Sequence, residues 1–284
     1  MKKHKRGFTL VEVTLFLGLT ALLFAGLIAG MNSSLEAQRF NDATQNFAEF
    51  LRSIYSQVSN VQSAGSGRSE YAIYGKLVSF GQNTDLNGDD LGGEQKVFVY
   101  DIIGDAKMTS SGSSASDVLG SLNANVVKLN RDTEGNITGV EFAGLVESYS
   151  PRWGAAIETV DGQLFKGSII VVRHPRSGVI NTFVCIDPDE CVIEVNEQME
   201  NANAANAEDI FNYVRGSLNI MLGSFDEDDL NFCINPNGAG VPSDMRRDVR
   251  LVANARNGSG VEIIDMDLNE KIGITQIGNR CRFD

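Results

Sequence analysis

Residues 1–31 read MKKHKRGFTLVEVTLFLGLTALLFAGLIAGM, and the rest of the chain is best read outward from them. Lys2, Lys3, Lys5 and Arg6 precede Gly7, and from Phe8 to Met31 the single charged side chain is Glu12. As a helix this run is about 36 Å long, enough to cross a hydrocarbon layer of about 30 Å. Basic residues directly before the run place residue 1 in the cytoplasm and the bulk of the chain outside. A cleavable secretory signal fits poorly. Its apolar region is shorter, about 7–15 residues, and closes on a small-x-small pair. Here Leu27 stands two places before Ala29, and Ile28 two places before Gly30. A plain anchor explains the length and the flank but gives Glu12 no reason. A carboxylate inside a membrane segment costs about 2.5–3.5 kcal/mol on insertion scales and is usually functional.

The helical pattern continues past the apolar run. Phe40, Ala43, Phe47, Phe50, Ile54, Val58 and Val61 step by three or four, which makes one apolar stripe on an otherwise polar stretch. The stripe can pack against a globular head or form a short coiled stalk. Ala64-Gly65-Ser66-Gly67 ends the helix. Beyond it the period falls to two. Strands are expected at 71–80, 96–103, 125–129, 138–142, 155–160, 165–172 and 181–185, with turns at 85–90, 134–136, 161–162 and 176–178. Ile210, Phe211, Val214, Leu218, Met221 and Leu222 give one face of a short helix, and strands follow at 230–234, 249–254, 261–266 and 271–277.

The expected fold class is α+β: a long N-terminal helix, membrane-spanning in its first half, packed on a mainly antiparallel sheet head. The parts are a basic leader (1–7), the apolar half of the helix (8–31), its amphipathic half (32–62), a β-rich head (63–195) and a C-terminal lobe (196–284). That lobe either completes the head sheet or stands apart.

The mean hydropathy of −0.11 excludes a chain with many membrane spans. The formal charge is −13. An acidic body repels nucleic-acid phosphate, so nucleic acid is not an expected partner. Arg246, Arg247, Arg250, Arg256, Arg280 and Arg282 collect basic charge near the end of the chain; a patch for DNA or another anionic surface is one reading, and salt bridging to the acidic head is the favoured one. Four cysteines, Cys185, Cys191, Cys233 and Cys281, allow three pairings. Outside the cytoplasm they read as disulfides, and chain order favours Cys185 with Cys191 and Cys233 with Cys281. Four buried thiols are the alternative. His174 is the one histidine beyond the leader, and no nucleophile or phosphate-loop motif is present, so no catalytic residues and no enzyme activity are expected. Asp85-x-Asn87-x-Asp89 sets three oxygen side chains on alternate loop positions, as calcium loops do. Asp90 and Lys96 stand where a full twelve-residue loop needs Gly and Glu, so a solvated hairpin turn is favoured. Calcium is the one cofactor the sequence raises. Trp153, beside Pro151 and Arg152, reads as an exposed contact or as a buried aromatic, and the buried aromatic is favoured.

Gly7-Phe8-Thr9-Leu10-Val11-Glu12, with the basic leader before it and the apolar run after it, resembles the type IV prepilin cleavage motif. That resemblance covers about the first 60 residues. It implies cleavage between Gly7 and Phe8 by a prepilin peptidase on the cytoplasmic side, and N-methylation of Phe8. It also implies a pilin-like fold. Glu12 would pair with the amine of a neighbouring subunit, neutralising two groups that are costly in an apolar filament core. The chain would reside in the inner membrane and then in a cell-surface or periplasmic filament, its partners being other pilin or pseudopilin subunits. Many relatives carry a helix-breaking Pro in this segment, and 8–61 has none. Ile169-Ile170-Val171-Val172 before Arg176-Ser177-Gly178-Val179-Ile180 is similar to the heads of H-type minor pseudopilins and FimT-like minor pilins. Arg250-Leu251-Val252 before Gly258-Ser259-Gly260-Val261-Glu262-Ile263 is similar in the same way. The implied function is that of a minor pilin-like subunit. A tip-located adhesin or DNA-uptake receptor and a type II secretion minor pseudopilin are the alternatives.

Overall fold

The computed structural model describes residues 10–59, 71–82, 84–87, 89–92, 94–105, 119, 123–174, 177–186, 191–221, 229–236, 247–252, 260–264 and 281. Helix α1 runs unbroken over Leu10–Ser59, about 75 Å at 1.5 Å per residue. With no proline inside it, nothing removes a backbone donor or forces a kink. Its two halves differ sharply. Leu10–Ile28 is long and apolar enough to cross a membrane, and none of it is buried within the chain. From Phe40 onward one face is covered: Phe40, Ala43, Thr44, Phe47, Ala48, Leu51, Ile54, Tyr55 and Val58 are all buried. The stripe therefore packs on a head and is not a free stalk. The expected helix end at 64–67 and the strand at 271–277 lie outside the described residues.

The head is built from antiparallel strands. β1 (Tyr71–Phe80), β2 (Val97–Asp105), β5 (Glu147–Tyr149), β7 (Gly167–Arg173) and β8 (Ile180–Cys185) form one sheet in the order β5-β2-β1-β7-β8. β6 (Ala156–Glu158), β9 (Leu230–Asn235), β10 (Arg247–Leu251) and β11 (Val261–Ile264) form a second, in the order β11-β10-β9-β6. β3 (Val127–Arg131) and β4 (Ile137–Phe142) pair as a hairpin. The stretch after residue 195 is not independent of what precedes it. β6 pairs with β9 from Ala156↔Asn235 to Glu158↔Cys233, so the second sheet draws strands from both sides of that boundary.

Two cores follow from this layering. The first gathers the α1 stripe, Val78, Phe80, Val97, Val99, Ile169 and Val171 from one face of the five-stranded sheet, and Phe232, Ile234, Val249 and Leu251 from the second sheet. The second gathers Leu77, Phe98, Tyr100, Ile102, Ile170, Val172 and Phe183 from the opposite face. It is closed by α2 (Val195–Glu200), α3 (Ala207–Met221) and the β3–β4 hairpin. The five-stranded sheet is thus covered on both sides. For that reason Ile169-Ile170-Val171-Val172 is apolar without alternation.

Polar groups in the layers are joined across them. Asn125 donates to the Phe211 carbonyl at 3.1 Å and accepts from the Val126 amide at 2.8 Å, fastening the hairpin to α3. Gln95 bonds both backbone groups of Ile157, at 2.8 and 2.7 Å. Arg173 donates to the Ser59 carbonyl at 3.1 Å, tying β7 to α1.

Candidate functional site

The surface with the clearest demand for a partner is the first half of α1. Leu10, Val11, Leu15, Phe16, Leu17, Leu19, Leu22, Leu23, Phe24, Leu27 and Ile28 are all exposed, from 57% to 81%. Such an apolar rod is not stable in water and needs hydrocarbon or other apolar helices around it. Its few hydroxyls are internally satisfied. Thr14 donates to the Val11 carbonyl at 3.0 Å, and Thr20 to the Phe16 carbonyl at 2.8 Å. That is the arrangement a helix in an apolar medium requires. Glu12 lies in the first turn, where a carboxylate complements the helix dipole. Gly7 and Phe8 lie outside the described residues.

The cysteines form two disulfides. Cys185 at the end of β8 joins Cys191, six residues on. Cys233 in β9 joins Cys281, 48 residues on. All four are buried. The first bond fixes a loop whose Cys191 carbonyl accepts from Ser168 Oγ at 2.6 Å, tying it back to β7.

In the loop raised as a calcium site, Asp85 Oδ1 accepts the amides of Asn87 and Asp89 at 2.8 and 3.0 Å. One oxygen of its carboxylate thus organises its own turn. Among the described residues no group of three His, Cys, Asp or Glu side chains is placed to hold a metal. His174 sits in the β7–β8 turn, its Nδ1 accepting from the Ser177 amide at 3.2 Å.

Of the C-terminal arginines, Arg250 is paired with Asp229, whose carboxylate holds the guanidinium pKa above its ordinary value. Arg247 lies over the Phe40 ring at 5.9 Å. Arg246, Arg256, Arg280 and Arg282 lie outside the described residues.

Trp153 departs from expectation. It is 56% exposed, not buried. It occupies a short 3-10 turn, Arg152–Gly154, in the left-handed region at φ 60 and ψ 26. A bulky residue is rarely found there. Its ring lies 5.1 Å from the Arg39 guanidinium carbon of α1. Arg39 carried no signal in the sequence, because on α1 it sits on the polar side, one residue from the stripe. The lone Trp next to Pro151-Arg152 did raise this spot as an exposed contact, the less favoured of its two readings.

Comparison with protein-family models, with curated proteins and with solved structures finds no match to this chain.

Proposed function

We propose that the chain is a minor type IV pilin-like subunit. It is cut between Gly7 and Phe8 by a prepilin peptidase, held in the inner membrane by α1, and then enters or caps a filament. The observation that carries this reading is the division of α1. The half from Phe40 to Val58 is buried on the chain's own head, while Leu10–Ile28 is left wholly uncovered. A helix so divided serves first as an anchor and then as the packing surface for other copies of the same element. Glu12 supports the same reading. In a bilayer it is a cost, whereas among packed N-terminal helices it meets the free amine of a neighbour. A secretion pseudopilus would use the same element in the same way, and the uncovered helix favours neither system.

The test is made on protein from a host with the processing machinery. Mass spectrometry should find a mature chain that begins at N-methylated Phe8. In the same host Glu12→Ala should be cut normally and should be depleted from sheared filaments. A mature chain still beginning at Met1, or absence of the wild-type chain from sheared filaments, would return α1 to the role of a plain anchor, and normal recovery of Glu12→Ala with filaments would overturn the assembly role of Glu12.

A further inference from the structure

We propose that the base of the head carries a basic and aromatic collar that rests on the lipid headgroups around the point where α1 leaves the bilayer. The proposal rests on the reading of Leu10–Ile28 as a membrane span. Arg39, Arg152, Trp153 and Arg247 make up the collar. Arg39 is exposed on α1 and stacks on Trp153, and Arg247 at the start of β10 lies over Phe40, the first buried residue of the stripe. Both contacts fall on adjacent residues of α1, so the groups ring the helix at one level. Arg152 is exposed beside the tryptophan.

The height of this ring suits a headgroup surface. From Ile28, the end of the apolar span, to Arg39 is about 16 Å along the helix. The headgroup layer occupies about 5–7 Å of that on each side of the bilayer. A helix side chain leans toward the N-terminus, which for Arg39 is toward the bilayer. The reach of an arginine side chain in that direction closes most of the remaining distance, and the ordinary tilt of a spanning helix lowers the ring by about a further 1 Å.

The chemistry agrees with the position. Tryptophan is favoured where one side is apolar and the other wet, and arginine binds phosphate oxygens in a fixed fork. The carboxylates on the same turns of α1 are Glu36 and Asp42; three guanidiniums leave the collar net positive in a chain of formal charge −13. The left-handed backbone at Trp153 is a second, independent sign. It holds a large apolar side chain out of the core, and such strain gathers at binding sites. The ligand is an anionic phospholipid surface, recognised by phosphate charge and interfacial stacking.

Trp153 is the one tryptophan in the chain, so its fluorescence reports on the collar alone. The full chain is reconstituted in vesicles of phosphatidylcholine, with or without a third of phosphatidylglycerol. Flotation of the vesicles first establishes insertion. With the anionic lipid, Trp153 emission should shift to the blue and acrylamide quenching should fall about twofold. High salt, or the triple variant Arg39→Gln, Arg152→Gln, Arg247→Gln, should reverse both. The melting temperature of the variant is recorded to show an intact head. Equal emission and quenching in both vesicles, with the protein floating, would overturn the collar. Shielding of Trp153 in detergent without lipid would overturn it in favour of contact with a second copy. Failure to float would instead remove the span on which it rests.

Discussion

Tyr55 shows how one side chain couples the long helix to the sheet. It is buried on α1, and its hydroxyl lies 2.8 Å from Thr182 Oγ1 on β8. Burial pushes its pKa up to about 12 from 10.0, with the Thr182 hydrogen bond opposing the shift. Tyr149 is likewise raised, to about 12, and burial raises Tyr100 as well. In the unfolded chain Tyr55 ionises near 10.0, while in the fold it keeps its proton until about 12. Across that window the folded state binds more protons, so stability falls as pH rises. The contribution is fully present below 10 and is lost as pH passes through the folded value. For Tyr55 it amounts to at most about 3 kcal/mol. Denaturation measured from neutral pH into this window should show a decline that Tyr55→Phe flattens. An unchanged slope in the variant would place the alkaline sensitivity elsewhere. The residue was not legible beforehand. A stripe drawn through Phe50 misses Tyr55, whereas the buried face runs through Leu51 and Tyr55, one residue further round the helix.

At the scale of elements, α1 performs two tasks with one secondary structure, and the two halves respond differently to the same substitution. Phe47 is 1% exposed and stands between the sheets, 6.4 Å from Phe80 and 5.2 Å from Phe232 by ring centres. Phe47→Ala should cost about 3–5 kcal/mol, because rings from both sheets cannot close the space it leaves. Phe50, partly buried and stacked on Tyr149 at 4.4 Å, should cost less. Phe24 lies on the uncovered half, so Phe24→Ala should leave the melting of the head unchanged. Thermal unfolding in detergent compares the three. Equal losses at Phe47 and Phe24 would mean that the two halves are not separable. The strands were largely readable, since period two and the Gly-rich turns between them are local signals. β5 was missed: three residues, Glu-Ser-Tyr, have no apolar alternation, and they are held by pairing with Val97–Val99 and by the packing of Tyr149 on Phe50, both distant in sequence. The stretches 169–180 and 250–263 fall in β7–β8 and β10–β11, and each of these folds as an antiparallel pair. Which sheet each joins depends on contacts far along the chain, and no local pattern carries that.

For the whole molecule, the question is what ties the late strands to a head that begins more than a hundred residues earlier. Part of the answer is pairing, since β6 completes the sheet of β9, β10 and β11. Covalent closure adds to it. Cys281 is fully buried and bonded to Cys233 in β9, a central strand flanked by β10 and β6. The cysteines themselves were legible as a disulfide framework. Their place on a central strand was not, because it follows from long-range pairing. The two bonds are unequal in what they restrict. By the chain-entropy model a bond across a separation of 48 removes freedom from the unfolded chain worth about 4 kcal/mol. One across a separation of six is worth about 2 kcal/mol. Cys281→Ser should therefore destabilise the head more than Cys191→Ser, by about 2 kcal/mol, and the double variant should lose nearly the sum, since the bonds lie in different sheets. Equilibrium denaturation of the three variants, each with and without reductant, makes the comparison. Reductant should remove the difference between the variants, because it opens both bonds in each. If Cys191→Ser proved the more damaging, the bond would be acting through the folded state, through the hold of Cys191 on Ser168 at the start of β7. Chain entropy would then not be what the long bond supplies.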